Sequence, residues 1–393
     1  TRVLAGPWAS QLLADYGADV IKIERPGNGD DTRQWGPPWL KDAMGEPTSD
    51  SAYFLSSNRN KRSMTVNIAH RAGRQIVESL VAASDIVMEN FRVGTLQRYG
   101  LGYEHLRALN PGIILCSISA YGQTGSRADQ PGYDAMIQGS GGLMSVTGEA
   151  DEDGGSPVKV GVAIADIMAG MYATTAILAA VVARQQSGLG QHIDVPLYDS
   201  QVAWLANQNM NWLVGHQNPG RLGTAHPNLV PYQSFATADG HLMLAVGNDR
   251  QYRATLEAMD LEALADDDRF RCNADRVENR RSLIDLMQQR MAQRSSTDWL
   301  NAFAAAGVPA GPIHSIAEVF SEAYAAERGL VQSVPHATAG DIPTVANPVR
   351  FSTTPVEYRQ GPPVLGEHTA EILTQELGMT AAQIAELSAA GAI

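Results

Sequence analysis

Asp166 is the acidic residue whose surroundings most favour chemistry. It follows an apolar segment at residues 161–165 and precedes an uncharged stretch at residues 167–183 that predicts a long helix. A carboxylate there can be a helix N-cap, which accepts hydrogen bonds from free backbone N–H groups. It can also be a nucleophile, kept ionised by the helix terminus and made reactive by desolvation. The local sequence leaves both alternatives open.

Four other positions are candidate ligand contacts. Arg25 directly follows a predicted strand at residues 20–24, at the carboxyl edge where open parallel sheets bind ligands. Arg98 lies on a predicted helix, and a surface ion pair is the ordinary alternative for either arginine. Tyr133 and Asp134 could place a hydroxyl and a carboxylate at a reaction centre, or could form a turn with a packed ring. The cationic segment 58–62 is predicted to be a solvated turn before a strand.

Composition excludes several classes of protein. The net charge is −13 and no basic run is present, which argues against nucleic acid as a partner. The nine histidines are scattered, so no metal site is predicted. No Gly-Lys dipeptide, G-x-S-x-G or H-E-x-x-H occurs, which excludes a Walker A loop, a serine esterase elbow and a zincin site.

Two cysteines in a chain of 393 residues indicate buried thiols in a reducing compartment, so we expect a cytoplasmic location. The stretch 167–183 is short for a bilayer span and is predicted to be a buried helix, so no membrane partner is expected.

The order of elements predicts an α/β fold. Strand candidates at residues 20–24, 64–68, 85–89 and 112–116 are separated by helical stretches, which is typical of a mostly parallel, Rossmann-type sheet. A strand hairpin is predicted at residues 240–247, followed by charged amphipathic helices from 261 to 306. We therefore predict a large domain over residues 1–220, a small domain over 221–330, and a segment over 331–393 that returns to the large domain.

Short motifs in a characteristic order resemble one known family, the class III coenzyme A transferases of the CaiB/BaiF type. The similarity covers essentially the whole chain, and each motif is weak when taken alone. The matching segments are residues 5–7, 20–25, 60–63, 89–91 and 132–134, the helix that carries Asp166, and residues 365–369. The resemblance implies a Rossmann-like large domain built from both chain ends, a smaller inserted α+β domain, and an interlocked homodimer.

The resemblance also assigns the site. It implies that Asp166 is the nucleophile and that Tyr133 and Asp134 are catalytic residues beside it. No permanently bound cofactor is implied, and coenzyme A enters as part of the acyl-CoA substrate, with a carboxylic acid as the second substrate. The implied coenzyme A contacts are Arg25, Val66, Asn67, Ile68, Ala69, Asn90, Phe91, Arg92 and Arg98. In the implied reaction the aspartate forms a mixed anhydride with the donor acyl group and then an aspartyl-CoA thioester.

Departures from the family pattern narrow the substrate. Leu4 stands where members acting on formyl-CoA have glutamine, and their flexible glycine run is absent, so oxalate or formate chemistry is not expected. The stretch 221–235, which contains His226, is similar to members that use succinyl-CoA and dicarboxylates such as glutarate. Leu4 and His226 are therefore predicted substrate contacts.

Two alternative functions remain at this point. α-Methylacyl-CoA racemases share the fold implied by the resemblance, but they need a histidine where this chain has Tyr133, and a phenol with a pKa near 10 is a poor base at neutral pH. A non-catalytic acyl-CoA binding protein is the other alternative. The two are distinguished from a transferase by covalent labelling of Asp166 and by exchange of the substrate α-proton.

Overall fold

The computed structural model describes all 393 residues, Thr1–Ile393. The chain forms two compact units. The first contains Thr1–Gly141, Gly161–Ala206 and Ala323–Ile393, and the second contains Gly142–Val160 and Asn207–Glu322. Both units therefore consist of segments that are distant in the sequence.

Strands and helices alternate along the first unit, as the sequence predicts. The strands of the whole chain are β1 (Val20–Glu24), β2 (Trp39–Lys41), β3 (Pro47–Ser51), β4 (Lys61–Thr65), β5 (Ile86–Glu89), β6 (Ile114–Ser119), β7 (His192–Pro196), β8 (Tyr232–Ala236), β9 (His241–Ala245), β10 (Ala310–Pro312), β11 (Val331–His336) and β12 (Gly340–Val345). The helices are α1 (Ala5–Asp15), α2 (Ala52–Leu55), α3 (Arg71–Ala83), α4 (Thr95–Arg98), α5 (Tyr103–Leu109), α6 (Asp134–Ser140), α7 (Ile164–Ser187), α8 (Leu197–Trp204), α9 (Asn207–Gly215), α10 (Asp249–Ala258), α11 (Asn273–Glu278), α12 (Arg280–Met291), α13 (Ser296–Ala305), α14 (Ile316–Ser321), α15 (Ala323–Glu327), α16 (Thr369–Gln375) and α17 (Ala381–Ala389).

Parallel strands organise the first unit. β1 pairs with β4, and β5, β6 and β7 form a second parallel sheet with β6 in the middle. Parallel neighbours need crossover connections, which explains why helices such as α5 and α7 separate these strands in the sequence. The central strand β6 is buried over Ile114–Ile118, as expected for a strand covered on both faces. The fold is therefore of the mixed α/β class.

The chain end completes the first unit. Ile372 and Leu373 of α16 pack on the hydrophobic cluster that contains Met64 of β4. The backbone N–H of His368 donates to the carbonyl of Ser63 at 2.9 Å. Residues near both ends of the sequence thus share one core.

Helix α7 is the longest helix and carries a stripe of small residues. Ala165, Ala169, Ala173 and Ile177 recur at intervals of four and are buried in the core that also contains α1. Gly170 allows the close approach of the two helices, since a Cβ there would lie 2.7 Å from the carbonyl oxygen of Ala5. Large residues on the other side of α7 remain exposed, so the prediction of a buried helix holds for one face only.

By length and composition α7 could cross a membrane. Its most apolar window has a mean hydropathy of 1.6, and 44% of that window is buried inside the structure. Helices from the cores of soluble proteins satisfy the same criterion.

The second unit has an antiparallel sheet of order β10–β9–β8 covered by helices. Its core is built from large side chains, among them Phe235, Leu242, Met287, Trp299 and Phe303. The hairpin is formed by Tyr232–Ala236 and His241–Ala245, so the predicted hairpin at 240–247 includes only its second strand.

The unit boundaries differ from the predicted 1–220, 221–330 and 331–393. Residues 142–160 and 207–220 belong to the second unit, and residues 323–330 to the first. Hydrogen bonds explain the first shift: Gly223 N–H donates to the carbonyl of Gly148 at 3.0 Å, and Arg221 Nε donates to that of Glu149 at 3.2 Å. Contacts of this kind join segments more than 70 residues apart and leave no pattern in the local sequence.

The cationic segment 58–62 is not the predicted solvated turn, because residues 58–61 are buried. Arg59 forms an ion pair with Asp15 at 2.5 Å. Lys61 Nζ donates to the carbonyls of Pro7 and Ser57 at 2.9 and 2.7 Å, and burial holds the pKa of this lysine well below its usual value. The segment ties α1 to β4 instead of facing water.

The two cysteines differ in environment. Cys116 is buried in β6, where burial raises the pKa of its thiol to about 12, whereas Cys272 is exposed. The prediction of two buried thiols is therefore wrong for Cys272. Both thiols are free.

Candidate active site

Asp166 is the third residue of α7 and does not cap the helix. Its side chain accepts no hydrogen bond within the chain and is only 8% exposed. The cap is supplied by Asp134, whose Oδ1 accepts from the backbone N–H groups of Ala165 at 2.7 Å and of Asp166 at 3.4 Å. The other carboxylate oxygen of Asp134 accepts from Gln138 Nε2 at 2.6 Å. The N-cap alternative for Asp166 is therefore wrong, and its carboxylate has no structural partner.

Burial controls the charge of this carboxylate. Burial first, and then the negative charge of Asp134, raise the pKa of Asp166 from 3.8 to about 7. A position in the first turn of a helix favours an ionised carboxylate, but the desolvation cost outweighs it here. Asp166 thus exists in both protonation states near neutral pH, and its ionised form is poorly solvated.

Asp166 lies in the wall of a cavity of about 210 Å³ in the first unit. Leu4, Tyr133, Asn90 and Arg92 line the same cavity. Tyr133 is 59% exposed, so its ring is not packed in a turn. Phe91 lines it too, so five of the predicted site positions are collected around the candidate nucleophile.

A second cavity of about 300 Å³ holds most of the residues that the resemblance assigns to coenzyme A. Arg25, the segment 66–69 and Phe91 line it. Phe91 and Arg2 line both cavities, which therefore adjoin each other.

Three predicted residues line neither cavity: Asp134, which caps α7, Arg98 and His226. Arg98 is exposed and lines neither cavity. Its Nη2 donates to Thr95 Oγ1 at 3.2 Å, and Thr95 lines the second cavity. His226 belongs to the second unit, where its Nδ1 accepts from the backbone N–H of Asn228 at 3.0 Å. Burial, followed by the charge of Arg280, lowers the pKa of His226.

Tyr53 is a residue near Asp166 that the sequence did not single out. Burial, and then the charges of Asp166 and Asp134, raise the pKa of Tyr53 to about 12, so its phenol keeps its proton. Its ring packs edge-on against Trp35 with centroids 5.1 Å apart. Tyr53 is more than 100 residues from Asp166 in the chain, and no motif links the two.

Arg2 and Val3 form a second missed feature. The main chain of Arg2 is held by Asn90, which accepts from its N–H at 2.8 Å and donates to its carbonyl at 2.6 Å. Val3 has φ of +68°, which is strained for a β-branched residue. Its N–H donates to Asp30 Oδ1 at 3.1 Å, and Asp30 forms a buried ion pair with Lys22 at 2.7 Å.

No group of three or more His, Cys, Asp and Glu side chains is placed to hold a metal ion. A desolvated carboxylate without a partner, beside two adjoining cavities, is suited to nucleophilic attack on an activated acyl group.

Comparison with known proteins gives the class of this chain. The model of CoA-transferase family III matches residues 1–369. Succinate–glutarate CoA-transferase of Agrobacterium fabrum is 48% identical over 374 residues, which cover 95% of this chain and 92% of that protein. Succinyl-CoA:glutarate CoA-transferase of Homo sapiens is 42% identical over 393 residues, covering 100% and 87% of the two chains. The crystal structure of a CaiB/BaiF family protein from Brucella suis is 45% identical, with a TM-score of 0.82 and 96% of each chain covered.

The fold and site define an enzyme that acts on activated acyl groups. This chain belongs to CoA-transferase family III, and it is a CoA-transferase. The resemblance that the sequence motifs indicated is thereby confirmed.

Proposed function

We propose that this enzyme transfers coenzyme A from succinyl-CoA to a short dicarboxylic acid, with Asp166 as the covalent nucleophile. The observation that carries the proposal is the unpartnered, buried carboxylate of Asp166 in the wall of a cavity. The relatives from Agrobacterium fabrum and Homo sapiens are named for succinate or succinyl-CoA and glutarate, which supports these two substrates. The identity of the substrates rests on the relatives, and the role of Asp166 rests on geometry.

The first half of the proposed reaction unloads the donor. A carboxylate oxygen of Asp166 attacks the thioester carbonyl of succinyl-CoA, the C–S bond breaks, and coenzyme A leaves as a thiolate. The products are a mixed anhydride on Asp166 and free thiolate. The thiolate then attacks the aspartyl carbonyl carbon, which forms an aspartyl-CoA thioester and releases succinate.

The second half reverses these steps with the acceptor. The acceptor carboxylate attacks the aspartyl thioester, and the thiolate leaves again. It then attacks the acceptor carbonyl of the new anhydride, which forms the acyl-CoA product and restores the carboxylate of Asp166. No net proton is transferred, so the reaction needs a good leaving group at each step and no general base.

Adjoining cavities suit this sequence of steps. We assign the 300 Å³ cavity, lined by Arg25, the segment 66–69 and Phe91, to coenzyme A, and the 210 Å³ cavity to the acyl group. Asn90 and Arg92 would contact the ligand where the cavities adjoin, and Arg98 would act from the rim. Tyr133, Asp134 and Leu4 would bound the reaction centre, and coenzyme A is a substrate in this scheme with no permanent cofactor.

The proposal includes a homodimer, interlocked as in the family. Its support is the apolar surface that the single chain leaves exposed. Met171, Tyr172, Leu178 and Val182 are exposed on α7, and Trp212, Leu213 and Val214 are exposed on α9. Exposed apolar side chains on helices are a common feature of subunit interfaces. Sedimentation of the purified protein would give the mass of two chains, and His226 would contact substrate within that assembly.

We also propose a cytoplasmic location, which the free thiols Cys116 and Cys272 support because reduced cysteines are usual in reducing compartments. Fractionation of cells that express the native gene is the measurement that checks it.

Covalent labelling tests the proposed mechanism. Incubation with succinyl-CoA followed by hydroxylamine is expected to convert Asp166 to a hydroxamate, which mass spectrometry of the peptide would locate. Asp166→Ala is expected to abolish transfer and to leave the affinity for free coenzyme A nearly unchanged. An active Asp166→Ala variant would refute the nucleophile. Exchange of the substrate α-proton with D₂O, without transfer to acids, would instead identify a racemase.

A further inference from the structure

We propose that Arg2 binds the distal carboxylate of the dicarboxylic acyl group and so selects dicarboxylic over monocarboxylic substrates. This inference rests on the proposed function, since it requires an acyl group in the cavity of Asp166. It adds a specificity-determining residue that neither the sequence motifs nor the predicted contacts include.

A dicarboxylic acyl group carries a negative charge into a site that is already acidic. Asp166 lies in the cavity wall, and Asp134 is close enough to raise its pKa. A second carboxylate in such a site needs a cation, because an unpaired buried charge is costly. Only Arg2 and Arg92 line this cavity as cations.

Arg2 is the better placed of the two cations. It lines both the 210 Å³ and the 300 Å³ cavity, whereas Arg92 lines only the first and its Nη2 already donates to the carbonyl of Asp129 at 3.0 Å. The present partner of Arg2 is Asp31, at 2.5 Å, and both side chains are about half exposed, at 47% and 49%. Exposed ion pairs of this kind contribute little free energy, so a substrate carboxylate can replace Asp31 at small cost.

The backbone under Arg2 is built to hold its position. Asn90 forms two hydrogen bonds with the main chain of Arg2, and the next residue, Val3, is held at φ of +68° by its bond to Asp30. A non-glycine residue persists in this region only when its surroundings enforce it. Here the enforcement comes from the buried Lys22–Asp30 ion pair. Arg2 and Leu4 are the chain neighbours of this strained residue, and both line the cavity of Asp166.

Leu4 complements this role. It lines the cavity of Asp166 and is itself buried. A leucine offers no hydrogen bond to a carboxylate, so it can contact only the methylene chain of the acyl group. An apolar wall beside a guanidinium matches an acid with a short methylene chain and a second carboxylate.

The test compares dicarboxylic with monocarboxylic substrates in Arg2→Met. The dicarboxylic pair is succinyl-CoA with glutarate, and the monocarboxylic pair is butyryl-CoA with pentanoate. We expect kcat/KM for the dicarboxylic pair to fall roughly 10–100-fold, the range for loss of a charge-assisted hydrogen-bonded pair, and that for the monocarboxylic pair to stay the same or rise. Arg2→Lys keeps the charge without the planar fork, and is expected to recover part of the loss.

Three controls keep the result unambiguous. Arg107→Met removes a similarly exposed arginine that pairs with Glu104 at 3.8 Å, and it should change neither activity. Thermal unfolding of each variant shows whether the fold is intact. Calorimetric titration with free coenzyme A is expected to give the same Kd for Arg2→Met as for the unchanged enzyme.

Two results would overturn the inference. One is an unchanged kcat/KM of Arg2→Met with the dicarboxylic pair. The other is an equal loss for both pairs together with weaker binding of free coenzyme A, which would assign Arg2 to the coenzyme phosphates. With either result, Asp166 of the unchanged enzyme would still be labelled by succinyl-CoA and hydroxylamine. If the proposed function itself is wrong, this labelling would not occur, so the two failures can be distinguished.

Discussion

The replacement Asp166→Asn separates the chemical role of this carboxylate from its energetic cost. Asparagine has nearly the same shape, but it cannot ionise and cannot form the anhydride. We expect transfer to fall by roughly 10⁴-fold or more, as is usual when a covalent nucleophile is removed. The same replacement is expected to make the protein more stable, because the ionised carboxylate is buried without a hydrogen-bond donor.

The size of this stabilisation follows from the pKa. Burial and the charge of Asp134 raise the pKa of Asp166 from 3.8 to about 7. At about 1.4 kcal/mol per pKa unit, ionising Asp166 costs the native state about 4 kcal/mol. Below pH ~4 the residue is protonated in both the folded and the unfolded chain, and it costs nothing. Between pH ~4 and ~7 the folded state binds more protons, so stability falls as the pH rises.

Urea unfolding from pH 4 to pH 8 measures this difference. The free energy of unfolding of Asp166→Asn minus that of the unchanged protein should be near zero at pH 4. It should grow through pH 5–7 and reach up to about 4 kcal/mol at pH 8. A difference that does not depend on pH, or a less stable variant at pH 8, would refute the account of Asp166 as an unpartnered buried carboxylate.

Three further predictions follow from the same contacts. Asp134→Asn keeps an oxygen that caps α7 but removes a negative charge, so Asp166 should ionise more easily. The rising limb of the pH profile of kcat/KM should therefore move to lower pH. A limb that does not move would contradict the effect of the Asp134 charge on the pKa of Asp166. Asp30→Asn should lower the free energy of unfolding in urea by about 3 kcal/mol, because it leaves the buried Lys22 without its ion-pair partner. The difference between variant and unchanged protein should shrink as the pH falls from ~4 to ~2, since the pKa of Asp30 in the folded protein is about 2. Gly170→Ala should lower the free energy of unfolding by about 1–3 kcal/mol, because the added Cβ would clash with the carbonyl oxygen of Ala5. Gly161→Ala is the matched control, since a Cβ there has no neighbour, and it should be far less destabilising. Equal effects of the two variants would show that the contact between α7 and α1 is not the cause.

The sequence by itself determined the class of fold and the enzyme family. Alternating apolar strands and helices predict a mixed α/β fold, because strand and helix periodicities are local and survive without tertiary information. The strands were displaced only by a few residues, as at β4, which begins at Lys61 and not at residue 64. The family followed from an ordered set of short motifs, each of which has a weak local signal.

Only the tertiary structure decided what Asp166 is. In the sequence it is indistinguishable from an N-cap, since both roles place an acidic residue at a helix start. In the structure Asp134, which is 32 residues earlier in the chain, takes the capping bonds, and the carboxylate of Asp166 is left facing a cavity. The local sequence shows only which residue types can cap a helix. Tertiary packing decides which side chain accepts the capping hydrogen bonds.

The same reason explains the residues that the sequence missed. Arg2, Val3 and Tyr53 have no motif of their own, and their environment is created by Asn90, Asp30 and Asp166 from distant segments. Segment 58–62 reads as solvated from its charges, but long-range hydrogen bonds satisfy those charges inside the protein. The sequence therefore determines which groups are available for chemistry, and the tertiary structure decides which of them are left without a partner and can react.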